Sequence, residues 1–135
     1  MRFIIIEDNP ADVLLMKEAL RHAGIIADIS HYSDGAGAVD AMRANHDTWS
    51  PPLPSLVLLD LNMPRVSGFD VLRELRGTPR LERVPVAVVT SSNSPRDIEE
   101  ATRLGASRYI RKPVDLHEFF ETIGTVVREM LAEAA

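Results

Sequence analysis

Two stretches of this chain, Leu56-Val57-Leu58-Leu59 and Val86-Ala87-Val88-Val89, are apolar at every position. A strand with one face in water alternates polar and apolar side chains, so unbroken runs need cover on both faces. Phe3-Ile4-Ile5-Ile6 is a third run of strand length. Elsewhere apolar residues recur at three- and four-residue steps, the spacing of helices packed along one side. The pattern predicts strands over 2–6, 27–32, 56–60, 85–90 and 108–111. It predicts helices over 10–23, 35–44, 68–76, 95–104 and 115–132. Strands alternating with helices imply crossover connections, hence an α/β fold with a parallel sheet and helices on both faces.

Local signals support these boundaries. Asn9 before Pro10, Asp34 before Gly35 and Ser94 before Pro95 stand where helix caps belong. Gly24 and Gly105 stand where helices end. Trp49-Ser50-Pro51-Pro52-Leu53-Pro54 reads as a surface loop inside one domain. At 135 residues the expectation is one domain over 1–135 with no output domain. The absence of cysteine rules out disulfides and thiolate metal sites. With 15 basic against 20 acidic residues and no basic cluster, a nucleic-acid ligand is not expected. Met1-Arg2 leads into an apolar run too short for a signal peptide or a membrane span, so a cytoplasmic protein without a membrane partner is expected.

The chemistry lies where the strands end. Glu7-Asp8 follows Ile6, Asp60 follows Leu59, Thr90 follows Val89, and Lys112 closes the run through Tyr109-Ile110. In an open parallel sheet these carboxyl ends converge on one crevice. Asp60 is the candidate nucleophile, since a carboxylate can accept a phosphoryl group as an acyl phosphate. Its simpler reading is a residue that caps the following loop. Glu7, Asp8, Asp60 and a backbone carbonyl near Asn62 offer oxygens suited to Mg²⁺. Alternatively, the acidic pair complements the dipole of the first helix. Thr90 would donate to a phosphoryl oxygen and Lys112 would neutralise its charge. Each signal is weak singly; parts for one reaction at separate strand ends make a specific set. An FMN-binding electron carrier fits poorly, because Glu7-Asp8 would repel the flavin phosphate. A phosphohydrolase usually has a second carboxylate two residues after its nucleophile, where this chain has Asn62.

The segments Ile4-Ile5-Ile6-Glu7-Asp8-Asn9, Leu58-Leu59-Asp60-Leu61-Asn62-Met63-Pro64 with Ser67-Gly68, Val88-Val89-Thr90-Ser91-Ser92 and Tyr109-Ile110-Arg111-Lys112-Pro113 closely resemble the receiver domain of two-component response regulators. The resemblance implies a flavodoxin-like five-stranded parallel sheet in the order 2-1-3-4-5. It implies Asp60 as phosphoacceptor, Mg²⁺ held by Glu7, Asp8, Asp60 and the Asn62 carbonyl, and Thr90 and Lys112 on the phosphoryl group. Glu-Asp at the first acidic position leaves open which of the two meets the metal directly. Thr90 and Tyr109 stand at the family's switch positions, and the Lys112-Pro113 bond is expected to be cis. Such a chain is a phosphoacceptor signalling protein, not an enzyme, apart from slow self-phosphorylation and autodephosphorylation, and its partner is a sensor histidine kinase. Glu7-Asp8-Asn9-Pro10-Ala11-Asp12-Val13-Leu14-Leu15 and Lys112-Pro113-Val114-Asp115-Leu116 before Phe119-Phe120 most resemble stand-alone receivers associated with bacterial phytochromes, which implies a bacteriophytochrome-type kinase.

Two faces remain for partners. Leu14 lies nearly opposite the apolar stripe of the first helix, beside the acidic site, and is a candidate kinase-docking residue. Leu116, Phe119, Phe120, Ile123, Val126, Val127, Met130 and Leu131 form a stripe running far along the last helix. Its distal part, with the fourth helix and fifth strand, is a candidate homodimer contact.

Overall fold

The structure, a computed structural model, describes residues 1–134. The strands are β1 (Arg2–Ile6), β2 (Asp28–Tyr32), β3 (Leu56–Leu59), β4 (Val86–Thr90) and β5 (Arg108–Arg111). The helices are α1 (Pro10–His22), α2 (Gly35–Arg43), α3 (Gly68–Gly77), α4 (Pro95–Arg103) and α5 (Leu116–Ala134). The sheet is parallel throughout in the order β2-β1-β3-β4-β5, the expected flavodoxin-like arrangement.

Side chains alternate across each strand, and both faces of the central strands are used. Phe3, Ile5, Leu56, Leu58, Ala87 and Val89 pack beneath α1 and α5. Ile4, Ile6, Val57, Leu59 and Val86 pack beneath α2 and α3. That two-sided burial is why these strands read as unbroken apolar runs. α4 is held far more thinly: Ala101 is its buried residue, in a small cluster with Leu61 and Val88.

Register sets the site. Ile6 stands opposite both Tyr32 and Leu59, Leu59 opposite Val88, and Val88 opposite Tyr109. Residues just past these positions therefore emerge together at one edge of the sheet. The caps largely follow expectation. Asn9 Oδ1 accepts from the Ala11 amide at 2.9 Å, and Asp34 Oδ1 from the Gly37 amide at 2.6 Å. Ser67 and Asp70 add a reciprocal capping box at the start of α3.

Three expectations need correction. Ser94 stands at the N-cap of α4 but makes no side-chain cap bond. Ser92 Oγ instead braces the entry to α4, accepting from the Ser94 amide at 3.3 Å and donating to Asp97 at 2.6 Å. Trp49 is not a surface residue. It closes a short 3-10 turn, is fully buried, and stacks on Tyr32 at 6.0 Å between ring centroids. Burial of its large apolar surface outweighs the loop character of the prolines beside it. Arg80 secures the turn by donating to the Trp49 and Met42 carbonyls.

The Lys112-Pro113 bond is trans; among the described residues the cis bond is Pro51-Pro52. Trans is the ordinary preference of X–Pro bonds, and nothing here opposes it. The Lys112 amide extends the ladder by donating to the Thr90 carbonyl at 2.7 Å, and its ammonium is aimed by carboxylates instead. The distal α5 stripe is covered by the fold itself. Val127 and Met130 are buried in the α1–α5 layer and Leu131 packs against it.

Gly68 lets α3 approach the end of β3. A Cβ at Gly68 would lie 2.2 Å from the Asp60 carbonyl oxygen and 2.7 Å from Leu61 Cα, both backbone atoms with little room to yield. Gly68→Ala should therefore lower stability by about 1–3 kcal/mol in urea unfolding. Gly77→Ala, with nothing within 4 Å of its added Cβ, should show no such loss.

Candidate functional site

Glu7 follows the last residue of β1 and Asp60 that of β3, so the parallel register makes them neighbours; the Asp60 amide donates to the Ile6 carbonyl at 3.0 Å. The turn into α1 carries Asp8 to the same place. Carboxylate oxygens of Glu7, Asp8 and Asp60 all lie within 4.8 Å of one another. Glu7 is fully buried and Asp60 nearly so, while Asp8 stands exposed at the rim. The adjacent acids thus come into play together, one as the floor and one as the edge.

Lys112 reaches in from the end of β5. Its Nζ lies 2.6 Å from Glu7 Oε1, 2.8 Å from Asp12 Oδ2 and 3.6 Å from Asp60 Oδ2. Burial disfavours the charged ammonium, but hydrogen bonds to Asp12 and Glu7 and the Asp60 charge outweigh it and raise its pKa. Burial, first of all, pushes Glu7 up to about 8; the Lys112 hydrogen bond opposes this and nearby Asp60 reinforces it.

Thr90, fully buried at the end of β4, completes the opposite wall. Its Oγ1 accepts from Asn62 Nδ2 at 3.2 Å, and the Asn62 amide donates to Asp60 Oδ1 at 3.3 Å. Asn62 therefore ties the Asp60 carboxylate to the Thr90 hydroxyl. Tyr109 is half-buried, and its hydroxyl donates to the Ser92 carbonyl at 2.9 Å. Pro113 lies beside Lys112 in a shallow groove, and Leu14 is exposed on α1.

The site thus gathers Glu7, Asp8, Asp60, Asn62, Thr90 and Lys112. It also holds groups that sequence reasoning passed over. Asp12 pairs with Lys112, although a carboxylate in a first helical turn reads simply as a dipole partner. His31, on edge strand β2, donates from Nε2 to the Glu7 carbonyl at 2.8 Å and pins the loop that carries the acids. Nothing in the half-polar pattern of β2 announces that bond.

Residues 3–124 match the response regulator receiver domain family. The chain belongs to that family. It is 32% identical over 120 residues to response regulator Rcp1 of Synechocystis sp., covering 89% of this chain and 82% of that one. The probable methanogenesis regulatory protein FilR2 of Methanothrix harundinacea is 33% identical over 120 residues, covering 89% and 77%. Among solved structures, the phosphorylated cyanobacterial phytochrome response regulator RcpA superposes with a TM-score of 0.88 at 31% identity, covering 99% of this chain and 96% of that one. The Mn²⁺-bound form of Rcp1 gives 0.83 at 31% identity, covering 96% and 94%. Receiver domains are phosphoacceptor signalling proteins served by histidine kinases, and this chain is similar to phytochrome response regulators among them. Among the described residues, no helix is long and apolar enough to cross a membrane.

The carboxylate cluster fits a divalent cation. Octahedral Mg²⁺ with bonds of about 2.0–2.1 Å separates its ligand oxygens by roughly 3–4 Å. Oxygens already within 4.8 Å of one another need only small adjustments. A cation there would hold all three acids ionised. Mg²⁺ should accordingly raise the thermal midpoint in calorimetry and chelation should reverse the rise. At ten times its dissociation constant the gain would be about 1.4 kcal/mol. Asp8→Asn, which removes the exposed ligand, should abolish most of that response.

Proposed function

We propose that this chain accepts a phosphoryl group from a phosphohistidine of a sensor histidine kinase onto Asp60 and, in doing so, changes the face built by α4 and β5. The observation that carries this reading is the setting of Asp60. Its buried carboxylate ends a core strand, with Oδ1 held by the Asn62 amide at 3.3 Å and Oδ2 facing Lys112 at 3.6 Å.

An Asp60 oxygen attacks phosphorus with an electron pair. The bond from phosphorus to the imidazole nitrogen breaks, and its electron pair returns to the ring. With a proton already on the other ring nitrogen of the phosphohistidine, the products are an acyl phosphate and a neutral imidazole. Glu7, Asp8, Asp60 and the Asn62 carbonyl would hold Mg²⁺, whose charge offsets that of the incoming group. Lys112 neutralises one phosphoryl oxygen and the Thr90 hydroxyl donates to another. To do so Thr90 gives up its present contact with Asn62. Its shift changes the packing beside Tyr109, which leaves the Ser92 carbonyl and turns inward. Ser91, small and exposed at the mouth, leaves the group room to enter.

The similarity to Rcp1 and RcpA favours a kinase of the phytochrome kind. Membership of the receiver family favours a cytoplasmic protein acting through protein contacts. Leu14, exposed beside the acids, is assigned to kinase docking.

Mass spectrometry after incubation with Mg²⁺ and acetyl phosphate should find one phosphoryl adduct, mapped to Asp60. An adduct that persists in Asp60→Asn, or none in the native chain, refutes the assignment. Leu14→Asp should slow transfer from the cognate kinase several-fold, the scale of one lost apolar contact, while leaving labelling by acetyl phosphate unchanged. Equal transfer rates would remove Leu14 from the interface.

A further inference from the structure

We infer that Asp12 is a positioning residue that draws Lys112 away from Asp60 and so sets how tightly the site takes up a phosphoryl group. The inference rests on Asp60 being the phosphoacceptor and adds a competitor for the ammonium the reaction needs.

An ammonium has three hydrogens to donate. Lys112 commits two of them, to Glu7 Oε1 at 2.6 Å and Asp12 Oδ2 at 2.8 Å, while Asp60 Oδ2 lies further off at 3.6 Å. In this state Lys112 belongs to the acids of β1 and α1 rather than to β3. Its third hydrogen is uncommitted, but Nζ stands 3.6 Å from Asp60 Oδ2, beyond a hydrogen bond, and a shift towards β3 stretches the short bonds that hold it on the other side.

The two partners are not equally free to let go. Glu7 is fully buried, its Oε2 accepts from the Asn9 amide at 3.3 Å, and His31 pins its backbone carbonyl. A carboxylate so enclosed loses much if its cation leaves. The Asp12 side chain is 26% exposed, so water can replace the ammonium. Nor is its carboxylate needed to start α1, because Asn9 Oδ1 already caps the Ala11 and Asp12 amides. Asp12 is the releasable partner. Its carboxylate sets what Lys112 must give up to engage the phosphoryl group.

The test measures binding of beryllofluoride, a non-covalent phosphoryl mimic, by titration calorimetry in saturating Mg²⁺. Asp12→Asn and Asp12→Ala should each tighten binding about three- to fivefold, the span of one partly exposed ion pair. Asp12→Glu, which keeps a carboxylate within reach, should return affinity towards the native value. Glu118→Gln removes an exposed charge from the groove that Lys112 also lines and should change affinity less than about twofold. Unchanged or weaker binding in both Asp12 variants overturns the inference. So does an equal gain in Glu118→Gln, which would mark a diffuse field effect. If the native chain itself binds no beryllofluoride, the phosphoacceptor reading falls and this one with it. Native binding without a gain in the variants refutes Asp12 alone.

Discussion

The organising interaction is a single cation among acids drawn from distant parts of the chain. Glu7, Asp8 and Asp60 meet because parallel strands end in register, yet like charges at such range raise each other's energy. Lys112 bridges Glu7 and Asp12, with Asp60 just beyond. The ladder from β4 to β5 brings it there, and the core on both faces keeps the ladder rigid. Extended apolar strands, caps and layered helices all serve that juxtaposition. The same crowding makes the pocket ready for a divalent cation, which relieves the repulsion that one ammonium leaves partly unanswered.

The surroundings of the pocket are not equally firm. α1, α3 and α5 bury several large side chains each, whereas α4 rests on Ala101 and a few polar ties. Those ties run from Asp97 to Ser92, and from the Ser92 carbonyl to Tyr109. Elements with few buried contacts are the ones that open at low free energy. The thin attachment of α4 thus lies next to Thr90, the buried group closest to it in sequence.

Much of this was legible in the sequence, for identifiable reasons. Unbroken Val/Leu runs can only be strands covered twice, and alternation with helices forces the parallel order. Strand ends converge, so Asp60, Thr90 and Lys112 could be grouped before any coordinates. What escaped depends on contacts without a local signature. Asp12 looks like any acid in a first helical turn, and only the fold puts Lys112 beside it. Trp49 sits among prolines that suggest a surface, but it is buried in the core beneath α2 and α3 and stacks on Tyr32. The long α5 stripe suggested an unmet face; in fact α1 lies against it for much of its length. The ammonium of Lys112 is likewise placed by ion pairs with Glu7 and Asp12 that link distant parts of the chain.

The close fit at Gly68 has a mechanical corollary. With no side chain between the start of α3 and the carbonyl of Asp60, helix and loop share one incompressible corner. A disturbance at that aspartate finds no slack on this flank, where even one added methyl group would have to push backbone aside.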